Sequence, residues 1–131
     1  MRENAVRALI VDDDREALRS LAAFLSQSGL SVAVAGSAVE ARLIMNSFRP
    51  HVLISDLAMP DEDGLELIRS VRRSEKESRR HLGAIAVTGL TEPDVRTRSL
   101  EAGFDRYFAK PAIPSAIVGA IREVVAQSAT F

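Results

Sequence analysis

Ala8-Leu9-Ile10-Val11-Asp12-Asp13 sets a short apolar run directly before two adjacent carboxylates. A run of this kind reads as a fully buried strand, and the residues after it sit at the strand's carboxyl end. The arrangement recurs along the chain. Val52-Leu53-Ile54-Ser55 leads into Asp56, Ala84-Ile85-Ala86-Val87 into Thr88, and Tyr107-Phe108-Ala109 into Lys110-Pro111. In open α/β folds the carboxyl ends of parallel strands share one edge of the sheet, and ligands bind there. Carboxylates, a hydroxyl and an ammonium gathered on that edge point to a divalent metal and a phosphoryl group.

Amphipathic stretches separate the runs. Residues 15–28 place Leu18, Leu21, Ala22 and Leu25 at helical spacing, with Gly29 as a stop. Ser31 to Ala35 reads as a second strand. Ser37 and Glu40 fit a capping box for the next helix, whose Val39, Leu43 and Ile44 are expected to face inward and which ends before Pro50. Gly64 opens a shorter helix with Leu65, Ile68 and Val71 on one face, followed by a polar loop over 74–83. Thr91 is placed to cap a helix over 92–102 with Pro93 in its first turn, and Gly103 to end it. Pro114 opens a last helix carrying Ile117, Val118, Ile121, Val124 and Val125. Five strands alternating with five helices imply right-handed crossovers and a parallel sheet covered on both faces.

The chain has 131 residues, 47% hydrophobic and 27% charged, which suits one globular domain rather than a disordered segment. Only Ser128-Ala129-Thr130-Phe131 follows the last helix, so a single domain over residues 1–131 is expected, with no output domain in this chain. The net charge of −1 argues against a broad nucleic-acid footprint, and the lack of Trp with a single Tyr removes an aromatic platform for bases. Arg72, Arg73, Lys76, Arg79 and Arg80 form a local basic cluster, read as a solvated loop balanced by Glu75 and Glu77. With no cysteine there is no disulfide, thiolate zinc site or cysteine nucleophile. The start Met1-Arg2-Glu3-Asn4 lacks a signal-peptide core and no apolar run approaches the roughly 20 residues of a membrane span, so a soluble cytoplasmic protein is expected.

Each candidate group has a plain reading and a chemical one. Asp12, Asp13 and Asp14 could serve a helix amino terminus, where acidic side chains favour the dipole. Packed together, however, they repel unless a cation joins them, and a hard oxygen site with few protein ligands suits Mg²⁺. Asp56 could be a turn residue; beside a divalent ion its carboxylate could attack phosphorus and form an aspartyl phosphate. Lys110 could be a surface lysine, or a point charge reaching a phosphoryl oxygen, with Pro111 fixing its geometry and open to a cis peptide. Thr88 could be an ordinary β-branched strand residue or a hydroxyl donor to the same group. Gly89 would keep the entrance open, and Gly64 would let a tight loop re-enter a helix.

The order of these pieces resembles the response-regulator receiver family of two-component signalling. The resemblance rests on Leu9-Ile10-Val11-Asp12-Asp13-Asp14, on Pro50 to Pro60, on Asp63-Gly64-Leu65-Glu66, on Ala86-Val87-Thr88-Gly89, and on Ala102 to Pro111. It covers about residues 6–126. It implies a flavodoxin-like, doubly wound (βα)5 fold whose parallel sheet runs in the order 2-1-3-4-5, with helices on both faces. It further implies that Asp56 is the phosphoacceptor. Asp13, Asp56 and the backbone carbonyl of Ala58 would bind Mg²⁺ directly and Asp12 through a water, with Mn²⁺ able to substitute. Thr88 and Lys110 would hold the phosphoryl oxygens, and Tyr107 would turn inward as Thr88 moves. The implied donor is a histidine kinase or histidine phosphotransfer protein. The implied output is a changed surface on the fourth helix, fifth strand and fifth helix, read by a downstream protein or used for homodimerisation. No membrane or direct nucleic-acid role is implied, nor catalysis beyond the domain's own phosphotransfer and dephosphorylation.

Some residues depart from the commonest family pattern. Gly89 stands for the usual Ala, and Ile113 stands where a capping Asp often precedes the helix Pro. Ala58 and Leu90, which flank the site, are apolar and imply slow to moderate self-dephosphorylation. Three other classes fit the residues less well. An interaction module that has lost phosphorylation typically lacks an acidic residue, the acceptor or the Lys, and all are present. An Asp-nucleophile phosphohydrolase needs a second Asp two residues after the nucleophile, where this chain has Ala58. A flavin- or nucleotide-binding relative would need a Gly-rich phosphate loop after strand one, where the chain has Asp12-Asp13-Asp14.

Overall fold

The structure, a computed structural model, describes residues 5–78 and 80–128. Five strands alternate with five helices: β1 (Arg7–Val11), α1 (Arg15–Gln27), β2 (Ser31–Ala35), α2 (Ala38–Phe48), β3 (Val52–Ser55), α3 (Gly64–Ser78), β4 (Gly83–Thr88), α4 (Val95–Ala102), β5 (Arg106–Ala109) and α5 (Pro114–Ser128). All pairings are parallel and the sheet order is β2-β1-β3-β4-β5, as the family resemblance implies.

Alternation along the central strands divides the interior into two layers. Leu9, Val11 and Leu53 join α2, α3 and α4 on one face, around Leu67, Ile68 and Phe104. Ala8, Ile10, Val52 and Ile54 join α1 and α5 on the other, around Leu25, Ile117 and Ile121. Because β1, β3 and β4 are covered on both sides, they read as unbroken apolar runs rather than alternating ones.

Local signals set several helix ends. Asp14 caps α1, its Oδ1 accepting from the Glu16 and Ala17 N–H groups at 3.0 and 3.3 Å, so for this residue the plain reading holds. Ser37 Oγ accepts from Glu40 N–H at 3.1 Å, while Glu40 Oε1 reaches back to Gly36 N–H at 3.0 Å, one residue earlier than in the usual capping box. Gly103 ends α4 at φ 133°, a conformation that L side chains rarely adopt.

Four expectations are corrected. Val39 and Leu43 do not face inward but are 61% and 68% exposed. The stripe at Ala38, Ala41, Met45 and Phe48 packs on the sheet, and small alanines let the helix approach closely. The segment over 74–83 is not all loop, since α3 runs on to Ser78. Its last turns are polar helix formers, and Glu75 pairs with Arg72 one turn back at 2.8 Å. Consequently Arg72 does not belong to a solvated loop: its side chain is 18% exposed. It donates to the carbonyls of Gly103 and Leu82 at 2.9 and 2.7 Å and pairs with Asp105 at 3.2 Å. Finally, α4 begins at Val95 after Asp94 rather than after Thr91, because the Val95 N–H closes a turn on Glu92 O at 3.1 Å. Arg79 of the basic cluster and Met1 to Asn4 lie outside the described residues.

Candidate functional site

The sheet hydrogen bonds bring the strand ends together. Asp56 N–H donates to Val11 O at 2.9 Å, setting the residue after β3 beside the end of β1. Lys110 N–H donates to Thr88 O at 2.8 Å, setting β5's end beside that of β4. The side chains then meet across the edge. Lys110 Nζ lies 2.9 Å from Asp12 Oδ2 and 3.0 Å from Asp56 Oδ2. Asp12 and Asp56 are buried, while Asp13 is exposed at the rim. One carboxylate oxygen from each of Asp12, Asp13 and Asp56 falls within 4.8 Å of the others.

Buried carboxylates this close need compensation. Asp12 Oδ1 accepts from Asp14 N–H at 2.9 Å, and Asp56 Oδ1 accepts from Leu57 N–H at 2.6 Å and Ala58 N–H at 3.2 Å. Their other oxygens meet the Lys110 ammonium. Burial pulls the Lys110 pKa down, but hydrogen bonds and charge from Asp12 and Asp56 outweigh it and hold the group above its usual value. The donor set is all oxygen, anionic and open at Asp13, which fits a hard divalent cation.

The remaining sequence candidates fall around this cluster. Thr88 is fully buried, and its hydroxyl accepts from Leu90 N–H at 3.2 Å. The Lys110–Pro111 peptide is cis. Tyr107 is half-buried on β5, on the side of the sheet that carries Leu90. Ala58 is exposed beside Asp56. A Cβ on Gly64 would lie 2.2 Å from Asp56 O, so glycine is required where the loop folds back on the end of β3. A Cβ on Gly89 would meet nothing within 4 Å, so no neighbouring protein atom demands glycine there.

One set of contacts near the site was invisible in the sequence. Arg42 of α2 pairs with Glu62 in the loop between β3 and α3. The residues are 20 apart, with no motif linking them. Only the folded layers of α2 and α3 bring them together.

Comparison with known proteins agrees with this geometry. Residues 8–122 match the response regulator receiver domain family. An uncharacterized 14.6 kDa protein in the sodA1 3'region of Leptolyngbya boryana is 36% identical over 115 residues, covering 88% of this chain and 86% of its own. Response regulator MprA of Mycobacterium bovis BCG is 39% identical over 107 residues; the match covers 82% of this chain but only 45% of MprA. Among solved structures, a CheY-like response regulator receiver domain protein from Methanospirillum hungatei aligns with a TM-score of 0.86 at 28% identity, covering 97% of this chain and 98% of the other. The signal receiver domain of a histidine kinase from Syntrophus aciditrophicus aligns with a TM-score of 0.83 at 27% identity, covering 94% and 92%. The chain belongs to the response regulator receiver domain family.

Proposed function

We propose that this receiver domain takes a phosphoryl group onto Asp56 from a phosphohistidine of a partner kinase or phosphotransfer protein, and signals through the surface of α4, β5 and α5. The observation that carries the reading is the ammonium of Lys110 held between Asp12 and Asp56. A cation already offsets part of the charge of the acidic cluster, on a side chain long enough to turn toward an incoming anion. Asp13, Asp56 and the Ala58 carbonyl would hold Mg²⁺, with Asp12 acting through a water. The ion would supply charge neutralisation between the attacking carboxylate and the phosphoryl oxygens.

In the transfer, an Asp56 oxygen forms the new O–P bond. The P–N bond of the phosphohistidine breaks and its electron pair leaves with the imidazole. Lys110 exchanges a carboxylate partner for a phosphoryl oxygen, and the Thr88 hydroxyl, which accepts from Leu90 N–H, donates to another. Those phosphoryl contacts exist only in the modified state, so the phosphoryl group's roughly two negative charges shift the equilibrium between loop arrangements. Space vacated at Thr88 becomes available to the Tyr107 ring. Ala58 and Leu90 offer no polar side chain to an attacking water, which favours a long-lived phosphoryl state.

Intact mass after incubation with Mg²⁺ and a small acyl phosphate tests the acceptor. Wild type should gain one phosphoryl group and Asp56→Asn none; equal labelling of both would remove Asp56 from the role. Loss of label from isolated protein within seconds would contradict the assignment of Ala58 and Leu90.

A further inference from the structure

Arg42 makes contacts that the phosphoryl chemistry does not use. Its Nη1 donates to Glu62 Oε1 at 2.6 Å and its Nη2 to Glu62 Oε2, a two-point grip. Its Nε and Nη2 also donate to Ser70 Oγ at 3.2 and 3.0 Å. Ser70 is anchored in turn, donating to Leu67 O at 2.8 Å. One guanidinium thus joins α2, the β3–α3 loop and α3.

The loop it grips begins at the acceptor. Its two ends are fixed locally, by Asp56 Oδ1 on the Leu57 and Ala58 amides and by Gly64 N–H on Leu57 O at 2.9 Å. Met59 packs into the α2, α3 and α4 layer, but beyond it the loop has no such local hold on the site. There Asp61 adopts φ 69°, and Glu62 N–H folds back onto Pro60 O at 2.8 Å. A non-glycine residue keeps a left-handed conformation only where its surroundings impose it. Glu62 is the next residue, and Arg42 is what fixes its side chain.

We infer that Arg42 is a positioning residue for the cation site: through Glu62 it holds the β3–α3 loop so that the Ala58 carbonyl is presented beside the Asp12, Asp13 and Asp56 carboxylates. This rests on the proposed reading of Ala58 as a metal ligand. The charge attraction alone is not the point, because the two side chains are 37% and 21% exposed and such pairs contribute little to stability. The two-point fork constrains direction as well as distance, which a Lys could not do. A loop ordered before the ion arrives raises apparent affinity by the fraction of molecules already competent.

The test titrates Mg²⁺ alone into wild type, Arg42→Met, Glu62→Gln and Arg42→Lys by calorimetry, then measures acyl-phosphate labelling across the same Mg²⁺ range. Residues bonded directly to metal ligands typically change affinity by about 10–100-fold. Acting one step further out, Arg42→Met and Glu62→Gln should each weaken Mg²⁺ binding by about three- to tenfold, with Arg42→Lys between them and wild type. The labelling rate at saturating Mg²⁺ should stay within about twofold of wild type. Amide exchange at Ala58 and Glu62 in metal-free protein should quicken in both. Wild-type Mg²⁺ affinity and exchange in the variants would overturn the inference alone, as would a lower limiting rate with unchanged affinity. Wild type that binds no Mg²⁺ would overturn the functional reading and this inference together. Should Arg42→Met fail to fold, Glu62→Gln, which retains the loop side chain's shape, decides the matter.

Discussion

At the scale of single residues, the acidic cluster sets function against stability. Lys110 pairs with Asp12 and Asp56 but not with Asp13, which stays at the rim as a third negative charge. Removing that charge relieves repulsion in metal-free protein. Asp13→Asn should therefore raise the metal-free Tm, by about 1–3 °C, while losing most of the increase that Mg²⁺ gives wild type. Thermal melts with and without Mg²⁺ check both, and a metal-free Tm below wild type would refute the repulsion account. At the opposite end of the sheet, His51 Nδ1 accepts from Arg7 N–H at 2.9 Å, which requires the neutral ring. Burial, and then the charges of Arg7 and Arg80, lower its pKa from 6.5. The unfolded chain thus binds the proton more readily, so this contribution to stability is complete above pH 6.5 and is lost as pH falls through the lowered folded value. Wild type should lose Tm relative to His51→Gln between pH 7 and 5; parallel curves would show that His51 carries no such linkage. The sequence made the strand-end groups legible because each follows an apolar run. His51 gave no signal, since its partner is a backbone amide 44 residues away.

At the scale of elements, the signals that could be read were local ones. The Ser37 cap was legible, and Ser37→Ala should cost about 0.5–2 kcal/mol in chemical denaturation. Gly64 was read as a loop-to-helix hinge, and the structure adds why no other residue serves. A methyl group there would press on the backbone of Asp56 and Leu57 at 2.2 and 2.9 Å, so something in the acceptor loop must move. Gly64→Ala should cost at least about 2 kcal/mol and slow acyl-phosphate labelling, because the atoms displaced belong to the site. Normal labelling in a stably folded Gly64→Ala would show that the loop yields without harm. The facing of α2 is not legible from its sequence because its apolar residues outnumber the buried stripe. Side chains at Val39 and Leu43 look like core in a list of residues, but the small Ala38 and Ala41 decide which side meets the sheet. Leu43→Lys should accordingly leave stability within about 0.5 kcal/mol of wild type. The end of α3 was missed for a related reason. A polar stretch reads as loop until Arg72 is seen to reach Gly103 and Asp105 from a different part of the chain.

At the scale of the whole molecule, the alternation of apolar runs and amphipathic stretches was enough for a parallel sheet with helices on both sides. The order of strands rested on the family resemblance, because nothing in a strand's own composition says which neighbour it takes. That order matters for what the site can feel. β3 lies between β1 and β4, sends Leu53 into one layer and Ile54 into the other, and leads into Asp56. The two layers are therefore joined through the strand that leads into Asp56, and a small loss of packing in either should lower global stability in one cooperative step. Ile54→Val removes one methylene from the α1 and α5 layer and should cost about 0.5–1.5 kcal/mol. The carboxylates at the strand end are held by backbone amides and Lys110, none of which Ile54 supplies. The added stability from Mg²⁺, about 2.7 kcal/mol at one hundred times its dissociation constant, should then be the same in Ile54→Val as in wild type. Denaturant titrations at zero and saturating Mg²⁺ separate the two quantities. A Mg²⁺ increment that shrinks with Ile54→Val would mean that packing two residues before the acceptor sets the geometry of the cation site.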